Sequence, residues 1–284
     1  MRQVEVGNAD RLRPVKRAYF SALNAAIDRA VLPGDHSYVR FIVLGSPRTG
    51  STSLVTALRS HSRIIDYGEL FKVWRDEDVP RWPNRFGLRT KARIETVNSD
   101  PQRYLSDCVF RTYPQQIQAV GFKIFYEHAQ SPKWRPIWHY LKDQRNIRVV
   151  HVKRKNLLRT HLSFELAQRT GRYRSSSPGA SSPPPDLRLE YEDCLRAFST
   201  LAEQQRRFDA DFADHALLEV SYEALASDFD GQVRTVQDFL GVTHESVRPE
   251  TRKQEKRPLA SAIQNYNELK ARFAGSEWEP LFEE

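Results

Sequence analysis

The sequence predicts an α/β fold, a doubly wound three-layer arrangement in which a central parallel sheet is flanked by helices. Three observations carry this. Residues 38–44 (YVRFIVL), 120–126 (VGFKIFY) and 147–152 (IRVVHV) are short runs of β-branched and aromatic residues, which is the composition of strands. Polar or helical sequence follows each run, and strands alternating with helices imply parallel pairing with both sheet faces covered. A glycine-bounded turn at 45–52 joins the first run to a helical stretch at 52–60.

In chain order, residues 1–36 are polar and basic and form an N-terminal leader. Within it Tyr19, Phe20, Leu23, Ile27 and Val31 are spaced to give a helix over 19–32 with one apolar face. Residues 37–284 form a single domain. Weaker strand signals at 64–66 and 217–220 complete the sheet. Residues 171–186, GRYRSSSPGASSPPPD, cannot hold a helix through three consecutive prolines and read as a mobile loop. That loop separates the helix after Val152 from a longer helical region over 187–213.

A chain of 284 residues, 39% hydrophobic and 28% charged, can bury a full core. Forty-four Lys and Arg against 36 Asp and Glu leave a net charge of +8. That balance suits an anionic ligand, a nucleic acid or an acidic surface equally. Cys108 and Cys194 are far apart with no ligand spacing around them, so they read as two buried thiols rather than a disulfide or a metal site. No apolar run approaches 18 residues and no secretory signal is visible. A cytoplasmic enzyme without a bound metal is the expectation.

The segment GSPRTGST spaces Gly45 and Gly50 as the Walker A pattern does, between a strand and a helix. Such a loop rings a phosphate with backbone N–H groups at a helix N-terminus. Ser51 stands where a nucleotide triphosphatase carries its lysine, and the cation has moved to Arg48. Without that lysine the loop suits a single phosphate held by amides, hydroxyls and a nearby cation. The plainer alternative is a polar strand-to-helix turn. A second basic segment, VVHVKRKNLLRTHLSFELA, sets Lys153, Arg154 and Lys155 at a strand end, followed by a helix that Asn156 caps and that carries Ser163.

The segment FIVLGSPRTGSTSL resembles the 5′-phosphosulfate loop of sulfotransferases that use 3′-phosphoadenosine 5′-phosphosulfate (PAPS), in Arg48, Thr49, Gly50, Ser51 and Thr52. The family has a P-loop-containing fold. By the same resemblance the second segment is the 3′-phosphate site, with Lys155 and Ser163 in register. The family has Arg at that cation position and Arg154 is one place off, so either cation qualifies. Glu69, in DYGELF, resembles the base of bacterial carbohydrate sulfotransferases related to trehalose sulfotransferase. His128, after the strand in GFKIFYEHA, is the second candidate base, and a structural donor is its plain reading; His61, His151 and His161 rank below it. Lys123 and Arg48 are placed to stabilise charge on the leaving phosphate, although Lys123 also reads as a snorkelling surface residue.

Toward the C-terminus, LLEVSYEALASDFDGQVRTVQDFLGV and RKQEKRPLASAIQNYNEL resemble bacterial members. Tyr222, Leu225, Phe239 and Leu240 read as packing residues there, and Arg252, Lys253 and Arg257 as cover for the nucleotide or acceptor. The resemblance implies sulfuryl transfer from PAPS to a hydroxyl of a carbohydrate or glycolipid, leaving adenosine 3′,5′-bisphosphate, with no metal. The expected partner is a small-molecule or glycan acceptor, not nucleic acid, with a homodimer allowed. A P-loop kinase or NTPase and a basic nucleic-acid-binding protein are the alternatives.

Overall fold

The computed structural model describes residues 33–72, 91–171, 185–249 and 257–283, with the single positions 22, 25 and 26. Its centre is a five-stranded sheet of β1 (Val39–Gly45), β2 (Ile64–Glu69), β3 (Ala119–Phe125), β4 (Ile147–Lys153) and β5 (Leu217–Ser221). The strand order is β2-β3-β1-β4-β5 and every pairing is parallel. All five strands fall on the runs that the sequence marked. Those with weak signals, β2 and β5, are the sheet's edges, where a strand need not be apolar throughout.

The helices are α1 (Ser51–Ser60), α2 (Lys91–Ser99), α3 (Pro101–Tyr104), α4 (Pro136–Asp143), α5 (Leu157–Thr170), α6 (Tyr191–Asp211), α7 (Tyr222–Ser227), α8 (Phe229–Leu240), α9 (Leu259–Ala262) and α10 (Tyr266–Phe273). Alternate residues of β1 go to opposite faces, as a strand requires. Phe41 and Val43 pack with Leu54, Leu58, Val233 and Val236 of α1 and α8. Ile42 and Leu44 pack with Phe122, Ile137, Leu141 and Phe208, on the side of α4 and α6. A third cluster joins α5 and α6 to the C-terminal helices through Leu158, Leu162, Phe198, Leu259 and Phe273.

The long helical region expected over 187–213 begins later. Leu187 instead forms a parallel bridge with Ile263, and Asn265 bonds both backbone groups of Leu189, so the segment before α6 is extended. The leader helix lies outside the described residues except at Ala22, Ala25 and Ala26, where the backbone is helical, and most of the 171–186 loop lies outside them too.

This topology fixes where a ligand can sit. From β1 the chain leaves toward β2 on one side of the sheet, and from β4 it leaves toward β5 on the other. The two connections diverge past the carboxyl ends of neighbouring strands, which opens the crevice in which α/β sheets bind ligands.

Candidate active site

The loop after β1 is built on close approach. A Cβ on Gly45 would stand 2.5 Å from the Val152 carbonyl oxygen of β4, so only glycine fits. The Gly45 carbonyl accepts the Tyr126 amide at 3.1 Å, which ties the loop to the end of β3. Arg48 and Gly50 both have left-handed backbone, at φ 68° and 81°. For Arg48 that conformation is costly, and such residues gather at functional sites. Gly50 precedes α1 and offers no side-chain cap to its first turn, and an uncapped helix N-terminus favours an anion.

The two basic segments meet at this loop. Arg48 Nε donates to Ser163 Oγ at 2.9 Å. Arg154, 6% exposed, donates to the Arg48 carbonyl at 3.3 Å, and its guanidinium lies 4.1 Å from the centre of the Tyr222 ring. Burial pulls that guanidinium down to about 10, so it stays charged at neutral pH. The other two cations go elsewhere. Lys153 is held by Asp209 at 2.7 Å and Glu219 at 2.6 Å. Lys155 has an exposed side chain, and its backbone N–H, with that of Asn156, donates to Glu223. Asn156 caps α5 as the sequence predicts, accepting the Arg159 amide at 2.8 Å.

On the other side of the loop lies a chain of three charged groups. Gly68, at φ 71°, sits in a bulge of β2, and Asp66 accepts its N–H. The extra residue re-aims the strand end, so that Glu69 pairs with Lys123 of β3. Lys123 Nζ stands 2.9 Å from Glu69 Oε1 and 3.0 Å from Thr52 Oγ1, over the Phe125 ring at 4.6 Å. Lys72 takes the second carboxylate oxygen at 3.0 Å. Burial alone would raise the Glu69 carboxyl, but the charges and hydrogen bonds of Lys123 and Lys72 outweigh it and hold the group well below the usual carboxylate range. Lys123, 1% exposed, is not the snorkelling surface residue that the sequence also allowed.

His128 is 3% exposed. Its Nδ1 accepts the Phe125 amide at 3.2 Å, and Nε2 is enclosed by protein. Burial brings it down to about 3, so the imidazole is neutral. His151 belongs to a buried relay beneath the loop. Its Nδ1–H donates to Asp209 at 3.0 Å, so Nε2 accepts the Tyr126 hydroxyl at 2.5 Å. His61 anchors the end of α1 on the Thr243 carbonyl at 2.7 Å, and His161 packs against Phe198.

Three residues in this crevice escaped the sequence reading. Lys72 follows a strand in an unpatterned stretch and carried no signal. Tyr222, read as packing, lies under Arg154 and only 2.9 Å from where a Gly50 Cβ would be. Glu127 shares the field of Glu69, Lys72 and Lys123; surrounding protein shifts its carboxyl upward, although solvent also reaches the residue. Its place just past β3 was a usable signal. Arg257 pairs with Asp186 at 2.5 Å, while Arg252 and Lys253 lie outside the described residues. Among the described residues, no three His, Cys, Asp or Glu side chains are grouped to hold a metal ion, and no helix is long and apolar enough to cross a membrane. Both cysteines are buried free thiols.

Residues 40–246 match the family model described as "Sulfotransferase family", a span that runs from the second residue of β1 through β5 and holds both basic segments and Glu69. The chain belongs to the sulfotransferase family. Among curated proteins, this sulfotransferase is 29% identical over 249 residues to Nodulation protein H of Rhizobium meliloti (strain 1021), covering 86% of this chain and 94% of that one. To Nodulation protein H of Rhizobium tropici it is 30% identical over 252 residues, covering 86% and 92%. Among solved structures, a sulfotransferase from Alicyclobacillus acidocaldarius aligns over 86% of this chain and 95% of its own, at 17% identity and a TM-score of 0.45. The family match makes the protein a transferase of the sulfotransferase class, built on a parallel α/β sheet.

Proposed function

We propose that this sulfotransferase takes the sulfuryl group of PAPS and transfers it to a hydroxyl of a carbohydrate or glycolipid in the cytoplasm. The observation that carries the reading is the Arg48–Ser163 hydrogen bond, with Arg154 on the Arg48 carbonyl. It makes the phosphate loop and the second basic segment two walls of one crevice. In this reading Arg48, Thr49, Gly50, Ser51 and Thr52 receive the 5′-phosphosulfate. Ser163 and Arg154 receive the 3′-phosphate, and Lys155, whose side chain faces solvent, is the lesser contributor.

Glu69 is the general base. It takes the acceptor O–H proton while the new oxygen–sulfur bond forms and the bond from sulfur to the phosphate oxygen breaks, and the electron pair leaves with adenosine 3′,5′-bisphosphate. Lys123 and Arg48 offset the charge that grows on that leaving group. His128, with Nδ1 occupied and Nε2 enclosed, is the weaker base candidate. The carbohydrate acceptor rests on resemblance to bacterial carbohydrate sulfotransferases.

Calorimetry with adenosine 3′,5′-bisphosphate, followed by labelled PAPS with a panel of hydroxyl acceptors, tests the reading. Binding without added Mg²⁺ and label transfer to a sugar are expected. Glu69→Gln should lower turnover by roughly 10²- to 10⁴-fold, the usual contribution of a general base, and keep bisphosphate binding. Absence of bisphosphate binding, or ATP binding that needs Mg²⁺ and ignores the bisphosphate, overturns it.

A further inference from the structure

Resting on the donor reading above, one question concerns Glu69 itself. A base must be free to accept a proton, yet both oxygens of this carboxylate are occupied by ammonium groups, Lys123 on Oε1 and Lys72 on Oε2. In this state Glu69 is a poor base. The two lysines are not equivalent. Lys72 is a third exposed and touches Glu69 from the solvent side. Lys123 is buried, and its ammonium is shared between Glu69 Oε1 and Thr52 Oγ1, the hydroxyl on the first turn of α1.

We infer that Lys123 is a positioning residue that couples the occupancy of the phosphate loop to the base, because a phosphate seated at Thr52 competes with the Glu69 carboxylate for the same ammonium. An ammonium has three hydrogens and one charge. Thr52 and Glu69 both draw on them, and the nitrogen lies over the Phe125 ring. With Lys123 1% exposed, water cannot supply a substitute partner, so attraction gained by an incoming anion is lost by the carboxylate. An empty loop leaves Glu69 clamped. A filled loop draws Lys123 toward the anion and loosens one oxygen of the base. Other charged and titratable groups share this field: Lys72, Glu127 and His128. None of them bridges Glu69 to α1 as Lys123 does. Coupling of this kind is reciprocal, so whatever neutralises Glu69 must tighten the anion.

The test is a double-mutant cycle read by calorimetry with adenosine 3′,5′-bisphosphate, which needs no acceptor. Glu69→Gln in the wild-type background should tighten the bisphosphate by roughly tenfold, within the usual 5- to 150-fold range of site-to-site coupling. In a Lys123→Met background the same Glu69→Gln change should alter Kd by less than about twofold, because the shared ammonium is gone. Lys123→Gln removes the charge and leaves a polar amide at the site, carries the same expectation and serves if the Met variant does not fold. Equal tightening in both backgrounds would mean plain repulsion of the anion by Glu69 and would overturn the inference, as would an unchanged or weakened Kd in Glu69→Gln. No bisphosphate binding by the wild type would instead remove the donor reading, and this inference with it.

Discussion

Arg48 and Ser163 lie 115 residues apart in sequence and share a hydrogen bond of 2.9 Å. One belongs to the turn after β1 and the other to the second turn of α5, so the bond closes the crevice between two neighbouring strands. If both side chains serve one ligand, Arg48→Ala should weaken adenosine 3′,5′-bisphosphate by roughly 10- to 100-fold, the worth of hydrogen bonds from a charged group. Ser163→Ala should cost roughly tenfold or less. Calorimetry on the single and double variants should find the double loss smaller than the sum, since the residues are in contact.

Arg154 and Lys155 are adjacent in sequence and opposite in environment. Arg154 is stacked on Tyr222 and bonded to the loop, whereas the Lys155 side chain is exposed. Arg154→Met should weaken the bisphosphate by roughly tenfold or more, and Lys155→Met by less than about threefold, as expected of a screened surface charge. Titrating both variants at low and moderate salt checks this. A larger loss in Lys155→Met would reassign the 3′-phosphate cation.

Gly50 combines a φ of 81° with the Tyr222 ring 2.9 Å from any added Cβ. Gly50→Ala should therefore lower stability by about 1–2 kcal/mol from the left-handed backbone alone. It should also weaken the bisphosphate through displacement of Tyr222 and, with it, Arg154. Thermal melts and calorimetry on one sample would show both effects together.

Two histidines set an acid limit. His128 and His151 are buried and neutral, pushed from 6.5 to about 3 and about 4, by burial first and by nearby lysines second. Their folded values lie below the unfolded one, so the unfolded chain takes up protons first. Stability is therefore full above about pH 6.5 and falls as pH drops toward the folded values. Between pH 6.5 and 5 each histidine should cost up to about 2 kcal/mol. Melting curves across that window should slope less steeply in His151→Gln, even though that variant starts from a lower Tm.

What the sequence made legible follows from where its signals are local. Strands announce themselves by composition, and the loop by its glycines and its neighbours, so all five strands and Arg48 to Thr52 could be named beforehand. Glu69 could be named too, but not its clamp: Lys72 arrives by chance of a loop, and Lys123 was ambiguous because a lysine inside VGFKIFY reads equally as a snorkelling residue. The choice between Arg154 and Lys155 was hidden as well. It depends on how β4 turns into α5 past its last paired residue, where the alternation of a strand no longer says which side chain points inward. Tyr222 lies 68 residues from Arg154, and no spacing within either segment links a ring to a guanidinium.

The burial of Lys123 sets fold maintenance against chemistry. A buried ammonium costs desolvation; replacing a whole buried ion pair by apolar side chains of similar size is often neutral or stabilising, whereas removing one partner leaves the other charge uncompensated. At position 123 the Phe125 ring already provides an apolar neighbour. Selection for heat resistance alone should thus favour joint replacement of Lys123 and Glu69 by apolar residues and yield sturdier proteins that no longer sulfate. Persistence of lysine there under such selection would mark demand for turnover rather than for a durable core.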